Sequence, residues 1–128
     1  MTAHLENILI VDDDPIQRVL LDEHFLGLGA KHCAHASTGD EAKRHLVANP
    51  QPNLITLDLV MPGLDGFGLL DHLRNHNPGI PILIISGSLG CTRNSAAILA
   101  SAYGLNLLSA LPKPITGTAL EVALHQHV

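Results

Sequence analysis

The segment Asn53-Leu54-Ile55-Thr56-Leu57-Asp58-Leu59-Val60-Met61-Pro62-Gly63-Leu64-Asp65-Gly66 decides how this chain is read. It opens as a mostly apolar run suited to a buried strand, reaches Asp58, and then enters a loop broken by a proline and two glycines. Two other segments follow the same plan. Ile8-Leu9-Ile10-Val11 ends in Asp12, Asp13 and Asp14, and Ile80-Pro81-Ile82-Leu83-Ile84-Ile85 ends in Ser86-Gly87. Near the end of the chain stands Pro112-Lys113-Pro114. Two acidic strand ends, a hydroxyl and a lysine point to a metal-assisted phosphoryl site.

Between these runs the pattern changes to helical. A strand is expected over 7–12. Asp14-Pro15 then suits a cap with proline in the first helical turn, followed by Ile16, Val19, Leu20, His24, Phe25 and Leu28 at roughly helical spacing. Gly27 or Gly29 can stop that helix. A short strand is read near 31–36. A helix beginning at Ser37-Thr38-Gly39-Asp40 follows, with Ala42, Leu46 and Val47 buried. The third strand spans 53–58, and a helix over 66–75 turns Phe67, Leu70 and Leu73 to the core. The fourth strand is placed at 80–85, and a helix over about 92–103 uses Ala96, Ile98, Leu99 and Ala102. Leu105–Leu108 is read as a fifth strand and Thr116–His125 as the last helix. This βα alternation predicts an α/β fold: a doubly wound, five-stranded parallel sheet with helices on both faces.

The 128 residues suit one domain over 1–128 with a genuine core, and an apolar fraction of 46% argues against disorder. Seven Lys plus Arg against twelve Asp plus Glu give a formal charge of −5 with no basic block, which argues against direct nucleic-acid binding. No apolar run approaches the ~20 residues needed to span a bilayer. Two cysteines and no secretory leader before residue 8 suit a reduced, cytoplasmic compartment. The nine histidines are scattered. His32 and His35 beside Cys33, and His72 and His76 beside Asp71, are weak metal candidates without a full ligand set.

Parallel βα units bring their strand C-termini to one edge, where ligands bind. Asp12, Asp13 and Asp58 are therefore expected to meet there. Clustered carboxylates repel unless a cation or a proton relieves them, and oxygen donors favour Mg²⁺. Asp58 can then serve as a nucleophile toward a phosphoryl group, with Lys113 and Mg²⁺ neutralising the moving oxygens. Taken singly, each residue has an ordinary explanation: cap residues at Asp13 and Asp14, a turn at Asp58, a loop hydroxyl at Ser86, a surface cation at Lys113. Their joint occurrence at successive strand ends carries the reading.

With these residues in place, the sequence resembles the response-regulator receiver domains of two-component signalling, over essentially its whole length. Ile8-to-Asp14, Asp58-to-Gly66, Ile85-Ser86-Gly87 and Lys113-Pro114 match the family's markers in order. The resemblance implies that Asp58 is the phosphoacceptor and that Asp12 and Asp13 form the acidic pocket. Asp13, Asp58 and the backbone carbonyl of Val60 are then the direct Mg²⁺ ligands, Ser86 the switch hydroxyl and Lys113 the phosphate-contacting lysine. The implied partners are a histidine kinase or phosphotransfer protein as donor and an attached or separate output domain. Rather than an enzyme in its own right, such a domain takes phosphate from a donor and regulates a partner.

One departure stands out. Receivers usually place Tyr or Phe three residues before the lysine, where this chain has Ala110. Gly104-to-Pro114 resembles receivers attached to EAL-type cyclic-di-GMP phosphodiesterase domains, which suggests a domain excised from a longer protein. Val60 and Ser88, two residues beyond Asp58 and Ser86, offer little to orient water, so slow to modest dephosphorylation is expected. The Leu/Ala-rich stretch from Ala96 to Leu111 is a candidate partner surface, for a homodimer among others, although core packing explains much of it. Two other functions share these residues: a phosphorylation-independent interaction domain, and a small Mg²⁺-dependent phosphohydrolase. The latter lacks a second Asp two residues after Asp58.

Overall fold

The computed structural model describes residues 5–48, 51–59, 66–87 and 90–125. Ten elements alternate: β1 (Asn7–Val11), α1 (Pro15–Gly27), β2 (His32–Ala36), α2 (Gly39–Val47), β3 (Leu54–Leu57), α3 (Gly66–His76), β4 (Ile82–Ser86), α4 (Gly90–Ala102), β5 (Leu107–Pro112) and α5 (Gly117–His125). The five strands form one parallel sheet in the order β2-β1-β3-β4-β5. The doubly wound α/β expectation holds.

The central strands are apolar at nearly every position because both of their faces are covered. Leu9, Val11, Ile55, Leu57, Ile82 and Ile84 face a core closed by Ala42 and Leu46 of α2, Leu69, Leu70 and Leu73 of α3, and Ala96 and Ala100 of α4. Ile8, Ile10, Leu54, Leu83 and Ile85 face the other side, against Leu21 and Phe25 of α1 and Leu120, Ala123 and Leu124 of α5. Successive strand residues alternate between the two clusters.

Local chemistry sets the helix ends. Asp14 caps α1 by accepting from the Ile16 amide at 2.9 Å, with Pro15 in the first turn, as its sequence predicts. Thr38 caps α2 through the Glu41 amide at 3.2 Å, while the Glu41 carboxylate accepts from both the amide and the hydroxyl of Ser37. Helices α1 and α4 end alike. Gly29 and Gly104 take positive φ (99° and 71°), and the next amide closes back onto the helix, Ala30 to the Phe25 carbonyl and Leu105 to that of Ala100.

Some sequence expectations are displaced. Val47 and Ile98, read as core, are 79% and 71% exposed, and Ala102 is also exposed. Helical spacing locates a face only approximately: among the described side chains of α4 the expected Ala96 is buried and Leu99 packs partly on the core, but Ala100 takes the place of Ile98 and Ala102. The fifth strand runs over 107–112 rather than 105–108. Leu105 belongs to the helix-closing turn and is buried beneath it, and Pro112 is tolerated at the end of an edge strand.

Phe67 packs against the core only in part. Tyr103 lies under the Arg74 guanidinium, 4.3 Å from its ring centre, and so ties α4 to α3. No helix among the described residues is long and apolar enough to cross a membrane.

The burial pattern separates substitutions that matter from those that do not. Leu70→Ala is expected to cost about 2–5 kcal/mol in denaturant unfolding. Val47→Ala and Ile98→Ala should stay within about 0.5 kcal/mol of the unaltered chain.

Candidate functional site

The sheet ladder itself delivers the acidic residues. Past the last residues of β1 and β3, backbone bonding continues: the Asp12 amide donates to the Ala36 carbonyl and the Asp58 amide to that of Val11, both at 3.0 Å. On the far side of β4, the Lys113 amide donates to the Ser86 carbonyl at 3.1 Å. Each backbone is therefore pinned to its neighbour at the same edge of the sheet.

Lys113 needs one further device to face the carboxylates. Opposite Ile82 and Leu83 stand Leu107 and Ser109, so Leu108 is an extra residue in β5. This bulge reverses the alternation. Leu107 and Ala110 both pack on the α2–α4 side, whereas Leu108 and Leu111 face α1 and α5. Lys113 follows Leu111 in phase, as Asp12 follows Ile10 and Asp58 follows Thr56.

The result is a tight charged cluster. Lys113 Nζ lies 2.8 Å from Asp12 Oδ2 and 3.2 Å from Asp58 Oδ2. Asp12, Asp58 and Ser86 are only 2%, 6% and 1% exposed. Ligand oxygens of Asp12, Asp13 and Asp58 all come within 4.8 Å of one another, with Asp13 the exposed member. Asp12 Oδ1 also accepts from the Asp14 amide at 2.9 Å.

Burial pushes the Asp12 carboxyl above its ordinary range. The hydrogen bond and charge of Lys113 oppose that rise, and the charge of Asp58 adds to it. For Lys113, burial is the largest single effect and acts downward. The hydrogen bonds and charges of Asp12 and Asp58 together outweigh it, so the ammonium is held above its ordinary pKa.

The expected residues Asp12, Asp13, Asp58, Ser86 and Lys113 thus gather at one edge, while Val60 and Ser88 lie outside the described residues. The histidine candidates form no group of three metal-capable side chains among the described residues. His35 Nε2 sits 3.4 Å from Asp22 Oδ1, and the His72 and His76 rings stack with centres 4.3 Å apart. Burial, then the adjacent Asp22, push the Cys33 thiol up to about 12, so it stays protonated at neutral pH. Among the described residues the one group of three metal-capable side chains is Asp12, Asp13 and Asp58. Sequence reasoning passed over Arg18, whose Nη1 donates to the Asp12 carbonyl at 2.7 Å. Its position one helical turn past the Asp14 cap was the available signal.

All-oxygen donors converging at a partly buried point fit a hard divalent cation. The sign of the pH dependence follows from Asp12. A carboxyl whose pKa is raised on folding contributes stability below its ordinary value of 3.8 and loses it as pH rises through the folded value. Above that raised value the ionised Asp12 therefore works against the cation-free fold. A divalent cation at about 100 times its Kd should stabilise the chain by ~2.7 kcal/mol, raising the thermal midpoint by about 10 °C. The increment should shrink as pH falls through the raised Asp12 value, and Asp13→Asn should remove most of it.

Comparison with known proteins agrees with this geometry. Residues 8–125 match the family described as response regulator receiver domain. The chain is 37% identical over 110 residues to the Regulator of RpoS from Escherichia coli K12, covering 86% of this chain and 31% of that protein. It is 32% identical over 107 residues to the DNA-binding transcriptional regulator NtrC of Salmonella typhimurium, covering 84% and 21%. The chain thus spans about a third or less of these curated relatives. Among solved structures, the receiver domain of the Francisella response regulator 1452 superposes with a TM-score of 0.76 at 29% identity, covering 94% of each chain. A CheY-like receiver domain protein from Methanospirillum hungatei superposes at 0.79 with 22% identity, covering 95% and 92%.

Proposed function

Because this chain belongs to the response-regulator receiver domain family, we propose that it is a phosphoacceptor whose Asp58 takes a phosphoryl group from a histidine kinase or phosphotransfer protein. The observation that carries this reading is the Lys113 ammonium lying between the buried carboxylates of Asp12 and Asp58, with Asp13 beside them. An Asp58 oxygen attacks phosphorus, the phosphorus–nitrogen bond of the donor phosphohistidine breaks, and its electron pair leaves on the imidazole. Lys113 is placed to neutralise the phosphoryl oxygens without itself reacting. Asp12, Asp13, Asp58 and the Val60 carbonyl would hold Mg²⁺, which supplies charge neutralisation to the transferring group.

Once Asp58 carries phosphate, its oxygens can accept from the Ser86 hydroxyl and the Lys113 ammonium. Ser86 ends β4, and Lys113 is bonded to its backbone, so movement there reaches the α4–β5 side directly. Ala110, half-buried on that side, leaves the hydroxyl rather than an aromatic ring to pass the signal. The output is a changed surface for an attached or separate domain. The Gly104-to-Pro114 resemblance supports an EAL-type domain in cyclic-di-GMP signalling, and the short span relative to the matched regulators supports a longer parent protein.

Intact mass after incubation with Mg²⁺ and acetyl phosphate tests the reading. A single phosphate adduct is expected, absent from Asp58→Asn. A folded chain that takes no adduct from several donors, sampled fast enough to catch a labile product, would instead be a phosphorylation-independent interaction domain.

The donor protein must approach past the start of α1, which follows Asp12–Asp14 directly. There Ile16, Val19 and Leu20 are 69%, 53% and 39% exposed on neighbouring positions of one helix face, an apolar landing for the phosphohistidine-bearing partner. Ile16→Glu should slow transfer from a phosphotransfer protein that labels the unaltered chain by about tenfold. Labelling by acetyl phosphate should be unchanged.

A further inference from the structure

Arg18 takes no part in the chemistry above, yet it reaches into the loop that carries two of the three carboxylates. It is half-buried on α1, and its Nη1 bonds the Asp12 carbonyl at 2.7 Å. That carbonyl belongs to the peptide joining Asp12 to Asp13. A peptide is planar, so holding its oxygen also sets the direction of the Asp13 amide and the position of the Asp13 Cα.

The rest of Asp12 is already fixed. Its amide is bonded to Ala36, one carboxylate oxygen to the Asp14 amide and the other to Lys113. Asp13 is exposed and must still bring its carboxylate within reach of Asp58.

We propose that Arg18 is a positioning residue for the cation site: by holding the carbonyl of the Asp12–Asp13 peptide, it aims Asp13 at Asp58. This rests on the phosphoacceptor reading and adds a residue to it. Charge alone gives the opposite expectation, since removing a nearby guanidinium would make Mg²⁺ bind more tightly. Positioning and simple electrostatics therefore differ in sign.

The test is Mg²⁺ titration by calorimetry of the full chain and of Arg18→Met and Arg18→Lys, beside acetyl phosphate labelling at a series of Mg²⁺ concentrations. Arg18→Met should bind Mg²⁺ about 10-fold more weakly, the usual lower end for losing a group that orients a metal ligand. Its labelling rate should recover at saturating Mg²⁺, a shift in the concentration required rather than in the maximum rate. Arg18→Lys, which can still give one hydrogen bond to the carbonyl, should recover part of the affinity and provides the test if the methionine variant does not fold. Unchanged or tighter Mg²⁺ binding in the folded variants, beside a competent unaltered chain, overturns the inference alone. An unaltered chain that neither binds Mg²⁺ nor accepts phosphate overturns the phosphoacceptor reading as well.

Discussion

The ammonium of Lys113 lies between the carboxylates of Asp12 and Asp58, and this contact is what lets two acidic side chains be buried together at the end of the sheet. Ionised carboxylates taken out of water without a counter-charge would cost several kcal/mol each or would protonate. The lysine reduces that cost without removing it, since Asp12 still stands above its ordinary pKa. A site poised in this way retains unmet negative charge. That is a favourable condition for recruiting a cation and, with it, a phosphoryl group.

The geometry depends on backbone more than on side-chain packing. Asp12, Asp58 and Lys113 each hang from an amide bonded to the neighbouring strand, so their positions inherit the rigidity of a sheet covered on both faces. The bulge at Leu108 is the exception that makes the rest work, because without it the alternation of β5 would turn Lys113 to the opposite face. It also turns Ala110 toward α4, on the side where a response to phosphate must travel.

Much of the architecture was legible in particular residues. Ile8–Val11, Leu54–Leu57 and Ile82–Ile85 could be read as buried strands because parallel strands covered twice need apolar residues on both faces. Asp14-Pro15 announced a helix start, and the acidic strand ends announced a site. Val47 and Ile98 were misleading because each lies close to buried positions, Val47 beside Leu46 and Ile98 between Ala96 and Ala100, and spacing alone does not fix the rotation of a helix. The fifth strand was obscured by its bulge and by Pro112.

By itself the sequence determined the element order, the parallel sheet and the identity of the acidic, hydroxyl and lysine residues at its edge, because periodicity and punctuation are local properties of the chain. Tertiary structure alone decided which of them touch. The phase of Lys113, its sharing between Asp12 and Asp58, and the reach of Arg18 to the Asp12 carbonyl arise from strand register and helix placement. Register depends on pairings between segments distant in sequence, and no local pattern encodes an inserted residue's effect on which face a side chain takes.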